Sequence, residues 1–160
     1  MIITSNKEKY IKIDFEDEEE LEDIVKNNHE YFFGPTSIYL PQTKLTTRGE
    51  VGTIPDAIVV DIVSEEWFIV EVERSIHGTW EHIAPQISKQ ITSINNPNSV
   101  EVILSNLIDL IKEDKEMKNI FIELDIKEVD IRRKLEEIFE EMPKVAISNR
   151  FYSKRFTRMG

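Results

Sequence analysis

Thr53-Ile-Pro-Asp56-Ala-Ile-Val-Val-Asp-Ile-Val63, then Ser64-Glu-Glu66, then Trp67-Phe-Ile-Val-Glu71-Val-Glu73, is the stretch that decides the fold. Residues 57–63 and 67–72 are β-branched and aromatic runs around a short polar turn, which is the signature of a β-hairpin. Side chains alternate along a strand, so Glu71 and Glu73 share one face while Val70 and Val72 take the other. Pairing the runs about the Ser64–Glu66 turn sets Asp56 opposite residues 71–73. Three carboxylates are then expected to converge at one end of an otherwise apolar hairpin. Such crowding is unfavourable for the ionised forms, and a divalent cation relieves it. Mg²⁺ suits the site because it takes one or two carboxylates and keeps several waters. The plain reading of the same acids is a solvated strand end.

Outward from the hairpin the elements alternate. Tyr10–Phe15 reads as a short strand, and Asp17 caps a helix with apolar positions Leu21, Ile24 and Val25, ended by Gly34-Pro35. Ser37–Leu40 is a brief strand, followed by a polar loop over residues 41–49. A helix is predicted over residues 79–94 on the apolar positions Ile83, Ile87, Ile91 and Ile94, with Pro85 delaying its start or bending it. Residues 95–98 are a loop, and from Ser99 a second helical stripe runs through Val100, Ile103, Leu104, Leu107, Ile108 and Ile111. Asn119–Leu124 reads as a strand, Val129 to Phe139 as a helix and Val145–Ile147 as a last strand. The expected class is α/β, a mixed central β-sheet flanked by helices, in one domain over residues 1–148 with a basic tail over 149–160.

Composition narrows the chemistry. The chain has 160 residues, 31 acidic and 20 basic, with a formal charge of −11. That charge opposes broad, sequence-independent binding to nucleic acid. The tail runs the other way: Arg150, Lys154, Arg155 and Arg158 interleave with Phe151, Tyr152 and Phe156, a composition suited either to phosphate contact or to a solvated end. Eight of the ten residues from Asp14 to Asp23 are acidic and are expected on a solvated helix face. Cysteine is absent, so thiol catalysis, disulfides and Cys-based zinc sites are out. No segment has the apolar length to span a bilayer and the first residues lack a secretory pattern, so a cytoplasmic protein without a membrane partner is expected.

Other candidates weigh less. His77 and His82 flank Trp80 at a spacing that does not put both on one helix face, and helix-start packing is favoured over a zinc or base role. His29 is expected to face the carbonyls at the end of the first helix. Ser75 has no nucleophile elbow around it, and the Gly49–Gly52 loop has no phosphate-binding spacing. Trp67 and Phe68 read as packing residues.

Pro55-Asp56, the hairpin and Glu71-Val72-Glu73 together resemble the signature of the PD-(D/E)xK nuclease superfamily. The preceding helix with Glu22 and the following Pro85-Gln86-Ile-Ser-Lys89-Gln90 resemble its first helix and the helix after the signature strand, so the likeness extends over residues 17–125. It implies a restriction-endonuclease-like fold and metal-assisted hydrolysis of phosphodiester bonds in DNA by a Mg²⁺- or Mn²⁺-dependent deoxyribonuclease. Carried across, Asp56, Glu71 and the Val72 carbonyl hold the metal, Glu22 reaches it through water, and Gln86 or Gln90 fixes a phosphate or orients a core group. Glu73 departs from the pattern, standing where the signature has Lys. Glu73 itself or a migrated Lys89 then orients the attacking water. The rival implication is a degenerate site on the same fold, an acidic module that binds a protein partner. A homodimer is compatible with either.

Overall fold

A computed structural model describes residues 2–5, 8–11, 17–43, 45–47, 50–73 and 79–149 of the chain. Its elements are β1 (Ile2–Ser5), β2 (Glu8–Ile11), α1 (Glu18–Asn27), α2 (His29–Phe33), β3 (Ser37–Pro41), β4 (Leu45–Thr47), β5 (Glu50–Thr53), β6 (Ala57–Asp61), β7 (Glu66–Glu73), α3 (Thr79–Ile94), α4 (Pro97–Glu113), α5 (Lys115–Glu123), a 3₁₀ turn (Glu128–Asp130), α6 (Ile131–Phe139) and β8 (Lys144–Asn149). The central sheet has the order β3-β6-β7-β8. Its first two pairings are antiparallel, and β7 with β8 is parallel. The fold is thus mixed α/β, a four-stranded mixed sheet with helices on both faces. Of the expected strand at Tyr10–Phe15, Tyr10 and Ile11 fall in β2, which pairs with β1. The basic residues from Arg150 onward, His77 and Ser75 lie outside the described residues.

The hairpin has the expected register: Ala57 pairs with Val70 and Ile58 with Ile69, so the ladder extended by one residue puts Asp56 across from Glu71. Alternation divides the sheet between two cores. Ile38, Ile58, Val60, Trp67 and Ile69 face α4 and α6, meeting Ile103, Leu107 and Leu135. Tyr39, Ala57, Val59, Val70 and Val72 face α1 through Leu21 and Val25. Burial of each aliphatic side chain contributes roughly 1.5–3 kcal/mol. Trp67 ties β7 to the end of α6, with its indole N–H donating to the Glu141 carbonyl at 2.7 Å and its ring 4.4 Å from Phe139.

Four expectations change. The helix read from Asp17 to Gly34 is two helices. Asp17 does cap the first, accepting from Glu20 N at 2.8 Å, but Asn28 ends it and starts α2. Asn119–Leu124 belongs to a helix, not a strand. Asp114 caps α5 by accepting from Glu116 N and Met117 N, and Met117 and Phe121 turn to the core at a spacing of four. Residues 41–49 are not all loop, because Leu45–Thr47 pairs with Glu50–Thr53 in a small sheet of its own. Leu45 supplies the anchor, fully buried in the larger core. Pro85 is accommodated within α3, which runs from Thr79 without a late start.

One glycine is dictated by a close approach. Gly34 ends α2 with φ of 121°, and a Cβ there would stand 2.8 Å from the Asp61 carboxyl. Asp61 is buried and fully engaged, accepting from Thr36 Oγ1 at 2.6 Å and Ser64 N at 3.1 Å. This carboxylate organises the turn at the far end of the hairpin from Asp56.

Candidate functional site

Two hydrogen bonds place Asp56. Its carbonyl accepts from the Gln42 N–H at 2.9 Å, which ties it to the chain leaving β3. Its Oδ2 accepts from the Val72 N–H at 2.7 Å, beyond the last ladder pair of β6 and β7. In a strand the N–H and C=O of one residue lean to the same side, so the Val72 carbonyl is directed toward the Asp56 edge as well.

Glu71 is only 4 % exposed. Gln86 and Gln90 lie one helical turn apart on α3, so both amides reach the same carboxyl. Gln86 Nε2 donates to Glu71 Oε2 at 2.7 Å, and Gln90 Nε2 donates to Glu71 Oε1. Gln86 sits at the exposed mouth, whereas Gln90 is wholly buried and its Oε1 has no partner. Burial pushes the Glu71 carboxyl up to about 7, with the Asp56 charge and a hydrogen bond between the two carboxyls adding to the rise and Gln90 opposing it. Asp56 is raised by burial too, against the Val72 N–H, which favours its anion.

The other acids stand around this pair. Glu22 on α1 is raised by burial and then by the Asp56 charge. Tyr39 is pushed up to about 12 by burial, Glu22 and Asp56, a neighbour that the sequence pattern placed only within the brief strand Ser37–Leu40. Glu73 acts on Asp56 through its charge. Among the described residues no group of three or more His, Cys, Asp or Glu side chains stands ready to hold an ion. Along β7, Glu73 is two residues, ~7 Å, beyond Glu71, on the same face and past the end of β6. Lys89 is half-buried on α3 between the two glutamines, and its ammonium makes no ion pair among the described residues. His29 does not cap α1. Its Nδ1 meets Ser37 Oγ at 2.8 Å, and burial lowers its pKa. His82 lies within α3.

The donor set suits a hard cation. Asp56 and Glu71 offer oxygen only, their pKa values are raised first by burial and further by neighbouring carboxylate charge, and the Val72 carbonyl is a third oxygen. The chain has no cysteine to supply a thiolate, and among the described residues no imidazole makes a third ligand with the pair. No protein-family model, curated protein or solved structure matches the chain.

Proposed function

We propose that the chain is a divalent-metal-dependent nuclease with a restriction-endonuclease-like fold, hydrolysing phosphodiester bonds in DNA. The observation that carries this reading is the placing of Asp56 across from the buried Glu71 at the end of the β6–β7 hairpin, with Glu71 braced by two glutamines from α3. Asp56, Glu71 and the Val72 carbonyl are the residues to hold Mg²⁺ or Mn²⁺, with Glu22 acting through water. When bound, the cation supplies positive charge to the phosphate and makes water more acidic. Glu73 takes the proton of the attacking water, or Lys89 positions that water and offsets charge on the phosphate. Gln86, at the mouth, orients the phosphate, and Gln90 holds the Glu71 carboxyl in place. Water oxygen bonds to phosphorus as the ester P–O bond breaks, and the leaving alcohol takes a proton.

Calorimetric titration with Mn²⁺ and Mg²⁺, alongside cleavage of supercoiled, linear and single-stranded DNA, tests the proposal. Binding of one or both metals together with metal-dependent cleavage is expected. Absence of both would replace the nuclease by the acidic interaction module on the same fold.

A further inference from the structure

Strands β7 and β8 run parallel, so both leave the sheet at the end that carries the Asp56–Glu71 pair. The ladder sets Ile147 beside Glu71 and Asn149 beside Glu73, and neighbouring strands stand ~4.8 Å apart. The residue after Asn149 is Arg150, and Lys154, Arg155 and Arg158 follow with no acid between them. Residues from Arg150 onward lie outside the described residues, but Asn149 fixes where they depart from the fold, beside the candidate site. Arg74 likewise follows Glu73 in the sequence, so a cation succeeds each strand at this end.

The described side chains at this end have the opposite sign. Glu18 and Glu22 on α1 and Glu73 on β7 all lie near enough for their charges to act with that of Asp56. α1 rests on the sheet through Leu21 and Val25 and exposes Glu18, Glu19 and Asp23. One divalent cation at the pair leaves most of this charge in place, and a phosphate chain laid across it is repelled unless further cations stand alongside. Arg132, Arg133, Lys134 and Lys144 do not answer that need, because each is engaged by a carboxylate. A stretch of nine residues spans at most ~30 Å, so residues 150–158 keep all four cations within reach of the phosphates flanking a bond held at the pair.

We propose that residues 150–158 are the phosphate-binding arm of this site, holding the backbone of duplex DNA beside Asp56 and Glu71. The choice of DNA rests on the nuclease reading, whereas the arm's place beside the site rests on the register of β7 with β8. The arm supplies affinity and position but no choice of sequence, since phosphates are alike along any duplex. It reconciles a chain of net charge −11 with a polyanionic substrate, because four of its 20 basic residues are gathered within this one segment.

Fluorescence anisotropy of a labelled DNA duplex, read from about 50 to about 200 mM salt without metal, tests the arm in the full chain. Arg155→Gln/Arg158→Gln removes two arm charges, and Lys115→Gln/Lys118→Gln removes two exposed charges from α5 as the control. Circular dichroism checks that both variants fold. The arm variant should bind about tenfold more weakly, with a log–log salt slope shallower by about 1.8, at about 0.9 per lost contact, while the control keeps the wild-type slope. Calorimetry should find Mn²⁺ binding alike in the arm variant and wild type, because Asp56 and Glu71 are intact. An unchanged slope in the arm variant, or equal flattening in the control, overturns the arm even where the chain cleaves DNA. So does tighter binding of Mn²⁺ or DNA by the arm variant, which would mean that residues 150–158 lie on the acids of their own chain. A wild type with no affinity for the duplex overturns it as well. Arm-dependent DNA binding without metal-dependent cleavage would instead keep the arm and remove the nuclease.

Discussion

The Asp56 carboxylate accepts the Val72 N–H at 2.7 Å, so the acid at the start of β6 closes the hydrogen-bonding gap where the ladder between β6 and β7 has ended. The bond holds Asp56 against the strand that carries Glu71, and it is made by the same residue whose charge the neighbouring acids oppose. Structural and electrostatic roles therefore pull in opposite directions at this position, and substitutions separate them.

Asp56→Asn keeps a carbonyl oxygen for the Val72 N–H and removes the negative charge beside Glu71. Its melting temperature without metal should equal or exceed that of wild type, while Mn²⁺ binding is lost. Asp56→Ala removes the acceptor and leaves the N–H unsatisfied, at about 1–3 kcal/mol. It should melt below Asp56→Asn by several degrees. Differential scanning calorimetry with and without Mn²⁺ distinguishes the two, and equal melting of both variants would remove the bond's structural role.

Glu71 predicts how stability changes with pH. Its carboxyl titrates at about 7 when folded and near its ordinary 4.5 when unfolded. Between those values the folded chain holds a proton that the unfolded chain has lost, so stability falls as pH rises through the interval. The loss should be on the order of 2 kcal/mol for so buried a group. Urea titrations at pH 5 and pH 8 without metal read it, and Glu71→Gln should flatten the difference. Saturating Mn²⁺ should oppose it, since a cation competes with the proton. A wild-type profile identical to that of Glu71→Gln would contradict the raised titration of Glu71.

Much of this site is legible in the residues because strands leave so strong a trace. Alternation through Trp67, Ile69 and Glu71 sets the face, and the Ser64–Glu66 turn sets the register, so the juxtaposition of Asp56 and Glu71 follows from local pattern. The run Asn119–Leu124 misleads for the opposite reason. Ile120, Phe121 and Ile122 are adjacent apolar residues with no period, and the deciding signal is Asp114, a cap five residues upstream of the run. The β4–β5 pair has one deeply buried anchor, Leu45, and a single apolar residue sets no alternation. At the site, Tyr39 escapes notice because a tyrosine on a core strand is ordinary until the fold brings Glu22 and Asp56 beside it.

His29 contributes with the reverse sign. Burial lowers its pKa below the ordinary 6.5, so as pH falls the unfolded chain takes up the proton first and stability declines. The effect begins near pH 6.5 and is complete once the folded imidazole is protonated too. Protonation also makes both ring nitrogens donors, so Nδ1 must then donate to Ser37 Oγ, 2.8 Å away. His29→Gln should cost about 1 kcal/mol at pH 8, the net worth of that hydrogen bond, and should remove the acid-side decline. Comparing pH 5.5 with pH 8 in this variant and in Glu71→Gln isolates each group. A His29→Gln chain that still loses stability on acidification to the wild-type extent would assign the decline elsewhere.

Glu73 and Lys89 divide the chemistry of the proposed nuclease. Glu73 stands two residues along β7 from Glu71 and outside the carboxyl pair, close enough for its charge to act on Asp56. Lys89 stands on α3 between the two residues that brace Glu71. If Glu73 takes the proton of the attacking water, Glu73→Gln should lower kcat by 10²–10⁴-fold, the usual contribution of a positioned base, and flatten the acidic limb of the pH–rate profile. Lys89→Ala should then leave most activity. If Lys89 instead supplies the positive charge, Lys89→Ala carries the large loss, and Glu73→Lys preserves or improves cleavage by placing an ammonium at the strand position. Both variants should still bind Mn²⁺, because neither residue belongs to the Asp56–Glu71 pair, so a loss of metal binding in either would relocate the ligands. Single-turnover cleavage across pH 5.5–8.5 separates these cases. Full activity in both Glu73→Gln and Lys89→Ala would leave water activation to neither residue.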